Sequence, residues 1–231
     1  MAVLLYAGSQ RFRSAVPGRR TWHSFSFGDH YDPANVGFGP LTCLNDDHLD
    51  PGAGYPAHPH ADVEIVTWVL SGALRHTDSA EPERARLLER GAVQVQSAGS
   101  GIRHSEVAEP GAGPTRFVQT WLRPDRPGAP PGEAVDTLEP AHGLTEVVGG
   151  TGLRVGVDGA SLAVGSLAPG DPLPLRDAPR VHVLVVEGNL LLPGRSAVEA
   201  VAGDAVRVLG GAGPMRATTP ARLLVWALPE R

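Results

Sequence analysis

The chain has little of what staples, anchors or charges a protein. Cys43 is the single cysteine among 231 residues. A disulfide within the chain needs two, so none forms, and a lone thiol is expected to be buried and inert, a small hydrophobe. No apolar run approaches the ~18 residues of a membrane span. The N-terminal apolar stretch, Ala2 to Ala7, is too short for a secretory signal core. A soluble, cytoplasmic protein without a membrane role is the expectation. Basic excess is missing too: 20 Lys and Arg stand against 25 Asp and Glu, for a net charge of −5. Direct nucleic-acid binding needs clustered positive charge, and nothing here supplies it. The densest basic stretch, Arg11, Arg13, Arg19 and Arg20, reads as a solvated surface. Long amphipathic helical periodicity is absent as well.

What is present points to strands. Glycine (29) and proline (22) are abundant, as in chains of many short strands joined by turns, and an apolar share of 42% argues against disorder. Residues 60–122 alternate: β-branched Val63, Ile65, Thr67 and Val69 interleave with Glu64, Val66, Trp68 and Leu70, and the run stops at Ser71-Gly72. Arg116 to Leu122 alternates again, with Gly91, Gly99 and Gly101 as turns between. Pro82 to Arg90 reads as a short helix or a charged hairpin tip. Residues 124–133 carry four prolines, a stiff linker composition that divides the chain near residue 128. Beyond it, strands are expected at Leu153–Val157, Ser161–Leu167, Val181–Val186, Ala205–Val208 and Leu223–Leu228. The expected plan is all-β: two tandem jelly-roll-type barrels, residues 1–127 and 128–231.

His58-Pro59-His60 carries the chemistry. On a strand, residues i and i+2 share a face, so two imidazoles project into one space. His104-Ser105-Glu106 repeats the spacing with a carboxylate in the second place. Two such doublets on strands that meet supply three imidazoles and a carboxylate, donors suited to a divalent first-row metal. Four protein ligands leave positions open on an octahedral ion, which makes the site catalytic in type. Gly52, five residues, His58-x-His60, three residues, Glu64, then seven residues to Gly72 resembles the first cupin motif, which has six before its last glycine. Gly91, Gly99, Gly101 and His104 echo the second cupin motif. That pattern leaves the fourth ligand open between Glu64, the usual cupin position, and Glu106.

Around these motifs the chain resembles the pirin family. The resemblance rests on His23-Ser-Phe-Ser-Phe-Gly28, Tyr31-Asp32-Pro33, Gly37-Phe38-Gly39, Leu44-Asn45-Asp46-Asp47, His58-Pro-His60, Glu64-Ile65-Val66-Thr67, His76-x-Asp78-Ser79 and Ser97 through Glu106. It implies a bicupin whose first barrel holds one ion, usually iron(II), on His58, His60, His104 and Glu106, with Glu64 in a supporting or structural role. Manganese, cobalt, nickel, copper and zinc suit the same donors. It also implies a quercetin 2,3-dioxygenase-like activity, in which O₂ opens a flavonol ring and carbon monoxide leaves. Glu106 then serves as general base toward the flavonol hydroxyl. The alternative is a metal- or redox-dependent regulator that binds a transcription factor or a metabolic enzyme as protein partner.

Other residues read more plainly. The second half has only His142 and His182, far apart, so its barrel is expected to be metal-free, and His182 reads as a satisfied core or edge histidine. His23, His30, His48 and His76 read as supporting or surface residues. Asp46 and Asp47 read as a turn. Phe25, Phe27, Phe38 and Trp121 read as core residues or as the wall of an apolar pocket.

Overall fold

A computed structural model describes residues 2–138, 142–194, 197–211 and 213–230. Its only helical pieces among these residues are two single 3-10 turns, Gly8–Gln10 and Pro110–Ala112. The rest is strand and turn, and the all-β cupin-like expectation holds. No helix among the described residues is long and apolar enough to cross a membrane.

A seven-stranded sheet runs in the order Gly132–Thr137, Ala92–Ser97, Glu64–Ser71, Thr115–Leu122, Leu41–Leu49, Arg19–His23 and Phe12–Val16. A four-stranded sheet faces it, ordered Gly54–His60, Ile102–Ala108, Ala73–Asp78 and Arg86–Glu89. Leu49, Val69, Leu74, Leu88 and Phe117 fill the space between these two sheets at one end. The second half repeats the plan. Its larger sheet of six strands is backed by three short ones, Asn189–Leu191, Glu199–Val201 and Arg216–Ala217, over a core that includes Val183, Val185, Val206 and Leu223. The sheets stay open, so each expected barrel is a cupin-like sandwich.

Alternation explains how the two sandwiches meet. On Glu64–Ser71, Thr67 and Val69 face inward, while Val66, Trp68 and Leu70 face the other half, and all are buried. A strand covered on both faces reads as a continuous apolar run. Val66, Trp68, Val95 and Val118 meet Leu162, Val164, Leu184 and Trp226 in a core shared by the two large sheets, where Trp226 is 0% exposed. Each such aliphatic side chain contributes ~1.5–3 kcal/mol by leaving water.

Several expectations need correction. The boundary at 127/128 does not divide the strands. Ala2–Tyr6 pairs with Ala205–Leu209 in the second sandwich, and Gly132–Thr137 pairs with Ala92–Ser97 in the first. The prolines end before Gly132, and each sheet needs an outer strand that the linear order assigns to the other half. Of the two readings of Pro82–Arg90 the hairpin holds and the helix does not: the segment ends in a strand, Arg86–Glu89, paired with Ala73–Asp78. No strand forms at 153–157; only an isolated bridge joins Leu153 to Val148. Asp46 and Asp47 lie mid-strand and buried, because ion-pair and hydroxyl partners satisfy them there. Arg11 is buried too, its side chain 6% exposed, so the basic stretch is not wholly a solvated surface.

Candidate metal centre

The four-stranded sheet carries the site. Gly54–His60 and Ile102–Ala108 run antiparallel, with Ile102 opposite His60 and His104 opposite His58; the register shifts between His104 and Glu106. A bulge of this kind re-aims side chains locally. Gly54 allows the strands to close, since a Cβ there would collide with the carbonyl oxygen of Glu106.

His58, His60 and His104 come together as the two doublets require. Their donor nitrogens all lie within 4.8 Å of one another. The ring of His104 is 4.5 Å from that of His58 and 4.8 Å from that of His60. Nε2 of His58 and Nε2 of His104 are 3.1 Å apart. Nε2 of His60 is buried and has no hydrogen-bond partner. Orphaned buried nitrogens are rare, and one that converges with two further imidazoles fits a cation between the three. Burial, and then the neighbouring rings, push His104 down to about 2; burial and His58 push His60 down to about 4. Both are neutral at physiological pH, the state that ligates.

Supporting bonds fix which nitrogen faces inward. Nδ1–H of His58 donates to the Pro56 carbonyl at 2.8 Å, which leaves Nε2 as the free acceptor. Nδ1 of His104 lies 3.2 Å from Nε2 of His76. With Nε2 of His104 kept for an ion, Nδ1–H donates to His76, whose own Nδ1–H points at Glu133 Oε1, 3.4 Å away. Glu133 in turn accepts from Arg86 and Gln94. The result is a carboxylate–imidazole–imidazole chain that ends at the site, the arrangement that orients metal-bound histidines. His76 thus supports the site from behind, and Glu133, at the end of the proline-rich segment, is a partner that no motif announced.

Glu106 is buried beside this cluster and accepts from Gln119 Nε2 at 2.7 Å, but its carboxylate is not among the donor atoms that lie within 4.8 Å of one another. Burial raises it to about 8; Asp47 adds to the rise, and Gln119 opposes it. Gln119 is fixed by Trp121, whose indole N–H donates to Oε1 at 2.9 Å. The Trp121 ring packs edge-on against His60 at 4.9 Å and against Phe27 at 5.2 Å. Phe27 and Trp121 therefore border the site, while Phe25 and Phe38 belong to the shared core. Gln119 was legible only as a polar residue at an inward position of an alternating strand.

Glu64 points elsewhere. His60 and Glu64 are on different strands, separated by a turn in which Asp62 is left-handed (φ 51°), so equal parity does not place them on one face. The Glu64 carboxylate accepts from Ser97 Oγ at 2.6 Å and from Gly156 N at 3.0 Å. A Cβ at Gly156 would come 2.8 Å from Glu64 Oε1, so a larger residue there would make this carboxylate shift. The backbone of 153–157 serves this carboxylate and so does not extend a sheet.

An open cavity of about 500 Å³ lies over His60, bordered by Pro59, Ala61, Ser79, Ile102 and Arg103. Two cupin-like sandwiches, one with three convergent imidazoles, define a protein of the bicupin class. The chain belongs to the pirin family, whose model, described as Pirin, matches residues 7–122. A Mycobacterium tuberculosis protein named "Putative quercetin 2,3-dioxygenase" is 40% identical over 215 residues, 89% of this chain and 86% of its own. The Escherichia coli protein named "Quercetin 2,3-dioxygenase" is 40% identical over 111 residues, 48% of this chain and 47% of its own. The crystal structure of the Escherichia coli pirin YhhW in complex with nickel(II) matches with a TM-score of 0.90 and 28% identity, covering 100% of both chains.

Proposed function

We propose that the chain is a metal-dependent dioxygenase of the quercetin 2,3-dioxygenase type, which opens the ring of a flavonol with O₂ and releases carbon monoxide in the cytoplasm. One observation favours a small-molecule reaction over regulation through a protein partner: the cavity above His60 is open to solvent and large enough for a planar ligand. His58, His60 and His104 would hold one divalent ion, with Glu106 as fourth ligand. Our reading is iron(II). Nickel(II), the ion in the Escherichia coli pirin, suits the same donors.

A bound ion of this kind lowers the pKa of a coordinated hydroxyl and brings an electron-rich substrate and O₂ together. The remaining work falls to the side chains. Glu106, buried beside the three imidazoles and ionised against a bound cation, would accept the proton of the flavonol 3-hydroxyl. Gln119 holds Oε1, which leaves Oε2 for that proton. Trp121 fixes Gln119 and lays an aromatic edge beside His60, a surface for a planar ring. His76 and Glu133 keep His104 in the ligating tautomer. Ile102 and Pro59 give the mouth apolar contact, and Arg103 gives it a positive rim.

The test is turnover of quercetin by protein loaded in turn with Fe(II), Mn(II), Co(II), Ni(II) or Cu(II), with carbon monoxide measured. Release of carbon monoxide with at least one metal, lost in His104→Ala, is expected. No carbon monoxide with any metal, in protein shown to be loaded, overturns the proposal.

A further inference from the structure

Away from the imidazole cluster, a second cavity of about 570 Å³ opens where the chain crosses from the second sandwich into the first, lined by Tyr6, Arg11, Phe12, His23, Ser24 and Asn35 among others. Its wall holds buried polar groups without partners. Nε of Arg11 and Oγ of Ser24 make no hydrogen bond. Behind Tyr6 and Asn35 stands Arg207, only 2% exposed, with its Nε also unpartnered. The Arg207 guanidinium lies 3.8 Å over Tyr6 and 4.3 Å over Phe25, and donates to Asn35 Oδ1 at 2.8 Å.

The charge here does not balance. Arg207 has no ion-pair partner among the described residues. Arg11 donates to the Trp22 carbonyl at 2.7 Å, and its one ion-pair contact among the described residues is Asp46, at 3.9 Å, which Arg116 already holds through bonds of 2.9 and 2.8 Å. His182, wholly buried with both ring nitrogens unpartnered, is pushed down to about 3 by burial and then by Arg207 and Arg11. The only carboxylate on the cavity wall, Asp32, accepts from the Ala34 amide and makes no ion pair. A buried cation without a counter-charge is costly, and a bound anion relieves that cost.

We propose that this cavity binds a small aromatic monocarboxylate, its carboxylate on Arg11 Nε and Ser24 Oγ and its ring against Tyr6 and Phe12. The unpaired donors select the anion. The rings of Tyr6, Phe12, His23 and Tyr31 around the cavity select a flat, aromatic body. The volume is that of a small-ligand site. The site is independent of the metal centre and does not rest on the dioxygenase reading.

Isothermal titration calorimetry on the full, metal-loaded chain tests this with benzoate, benzamide and acetate. Benzoate is expected to bind once per chain and to raise the melting temperature. Benzamide, neutral and of the same shape, and acetate, charged but without the ring, are each expected to bind about tenfold or more weakly. Asn35→Asp places a carboxylate against Arg207; it should raise the melting temperature without ligand and weaken benzoate about tenfold. Arg11→Gln should also weaken benzoate. Benzoate binding should persist in the metal-free His104→Ala variant. The proposal is overturned if benzoate does not bind, if benzamide or acetate binds equally well, if Asn35→Asp and Arg11→Gln leave benzoate binding unchanged, or if His104→Ala abolishes it, which would place the ligand at the metal.

Discussion

The carboxylate of Glu64 accepts a hydrogen bond from the backbone N–H of Gly156 at 3.0 Å, so the residue at the usual cupin ligand position ties one sandwich to the other. Glu64→Gln keeps the shape but weakens the bonds from Ser97 and Gly156. It should lower stability by ~1–3 kcal/mol and leave metal content unchanged. Glu106→Gln should do the reverse: lower metal occupancy, and cut any flavonol turnover by ~10²–10⁴-fold as a lost general base. Metal per chain and a denaturant melt, measured on both variants, decide. An empty site in Glu64→Gln with a full, active one in Glu106→Gln refutes the ligand assignment.

His58→Ala and His104→Ala should each strip the ion, because each removes one of three convergent nitrogens. Elemental analysis of the purified variants checks this, and unchanged metal in both would end the case for this centre.

His76 offers a subtler test. His76→Phe keeps a ring in place but cuts the chain from Glu133 to His104. Metal affinity should fall ~10–100-fold, as for other outer partners of ligating histidines. Competition with a chelator of known affinity measures the drop. Affinity equal to the parent protein's would show that His104 needs no such support.

Asp47 gives a pH signature. Burial raises its carboxyl to about 6, although Thr21 and Tyr55 donate to it at 2.5 and 2.6 Å. A folded-state pKa above the unfolded value of roughly 3.9 means that the folded chain holds this proton more tightly. Its contribution to stability is therefore complete below about pH 4 and is lost as pH rises through 6. Asp47→Asn keeps an oxygen for both hydroxyls and carries no proton to lose. Between pH 4 and 7 the parent should lose up to ~3 kcal/mol relative to the variant, by the ~1.4 kcal/mol of each pKa step. Urea melts at the two pH values measure it, and parallel pH profiles would contradict it.

Much of the site was legible because strand parity is local. His58 and His60, or His104 and Glu106, lie two apart on one strand, and that spacing alone sets their common face. Even spacing does not put His60 and Glu64 on one face, because they lie on different strands with the left-handed Asp62 between them. The tandem all-β plan was legible from alternating runs such as Arg116–Leu122. Which strand joins which sheet was not, because pairing between strands distant in sequence leaves no local pattern: Leu5 meets Val206, and Val135 meets Gln94. Asp46 and Asp47 misled for a related reason. Beside Asn45 they carry the composition of a turn, and only Arg116 and Thr21, distant in sequence, make their burial affordable.

The exchanged outer strands predict how fragments behave. Residues 1–127 lack the strand that covers Ala92–Ser97 and keep one, Ala2–Tyr6, whose partner is gone. A fragment of residues 8–138 matches the first sandwich better and should melt at a higher temperature than 1–127. Circular dichroism melts of the two fragments decide, and equal melting would mean that the outer strands add nothing.

The pairing of Ala2–Tyr6 with Ala205–Leu209 also sets a schedule for synthesis. Ala2–Tyr6 finds its neighbour only after roughly 200 further residues have been made, ~10–40 s later at the usual ~5–20 residues per second. Until then an apolar pentapeptide, AVLLY, waits without a sheet. The first sandwich can gather its strands on the nascent chain well before that. The second closes last, and the cavity beside Arg11 and Tyr6 exists only once it has done so.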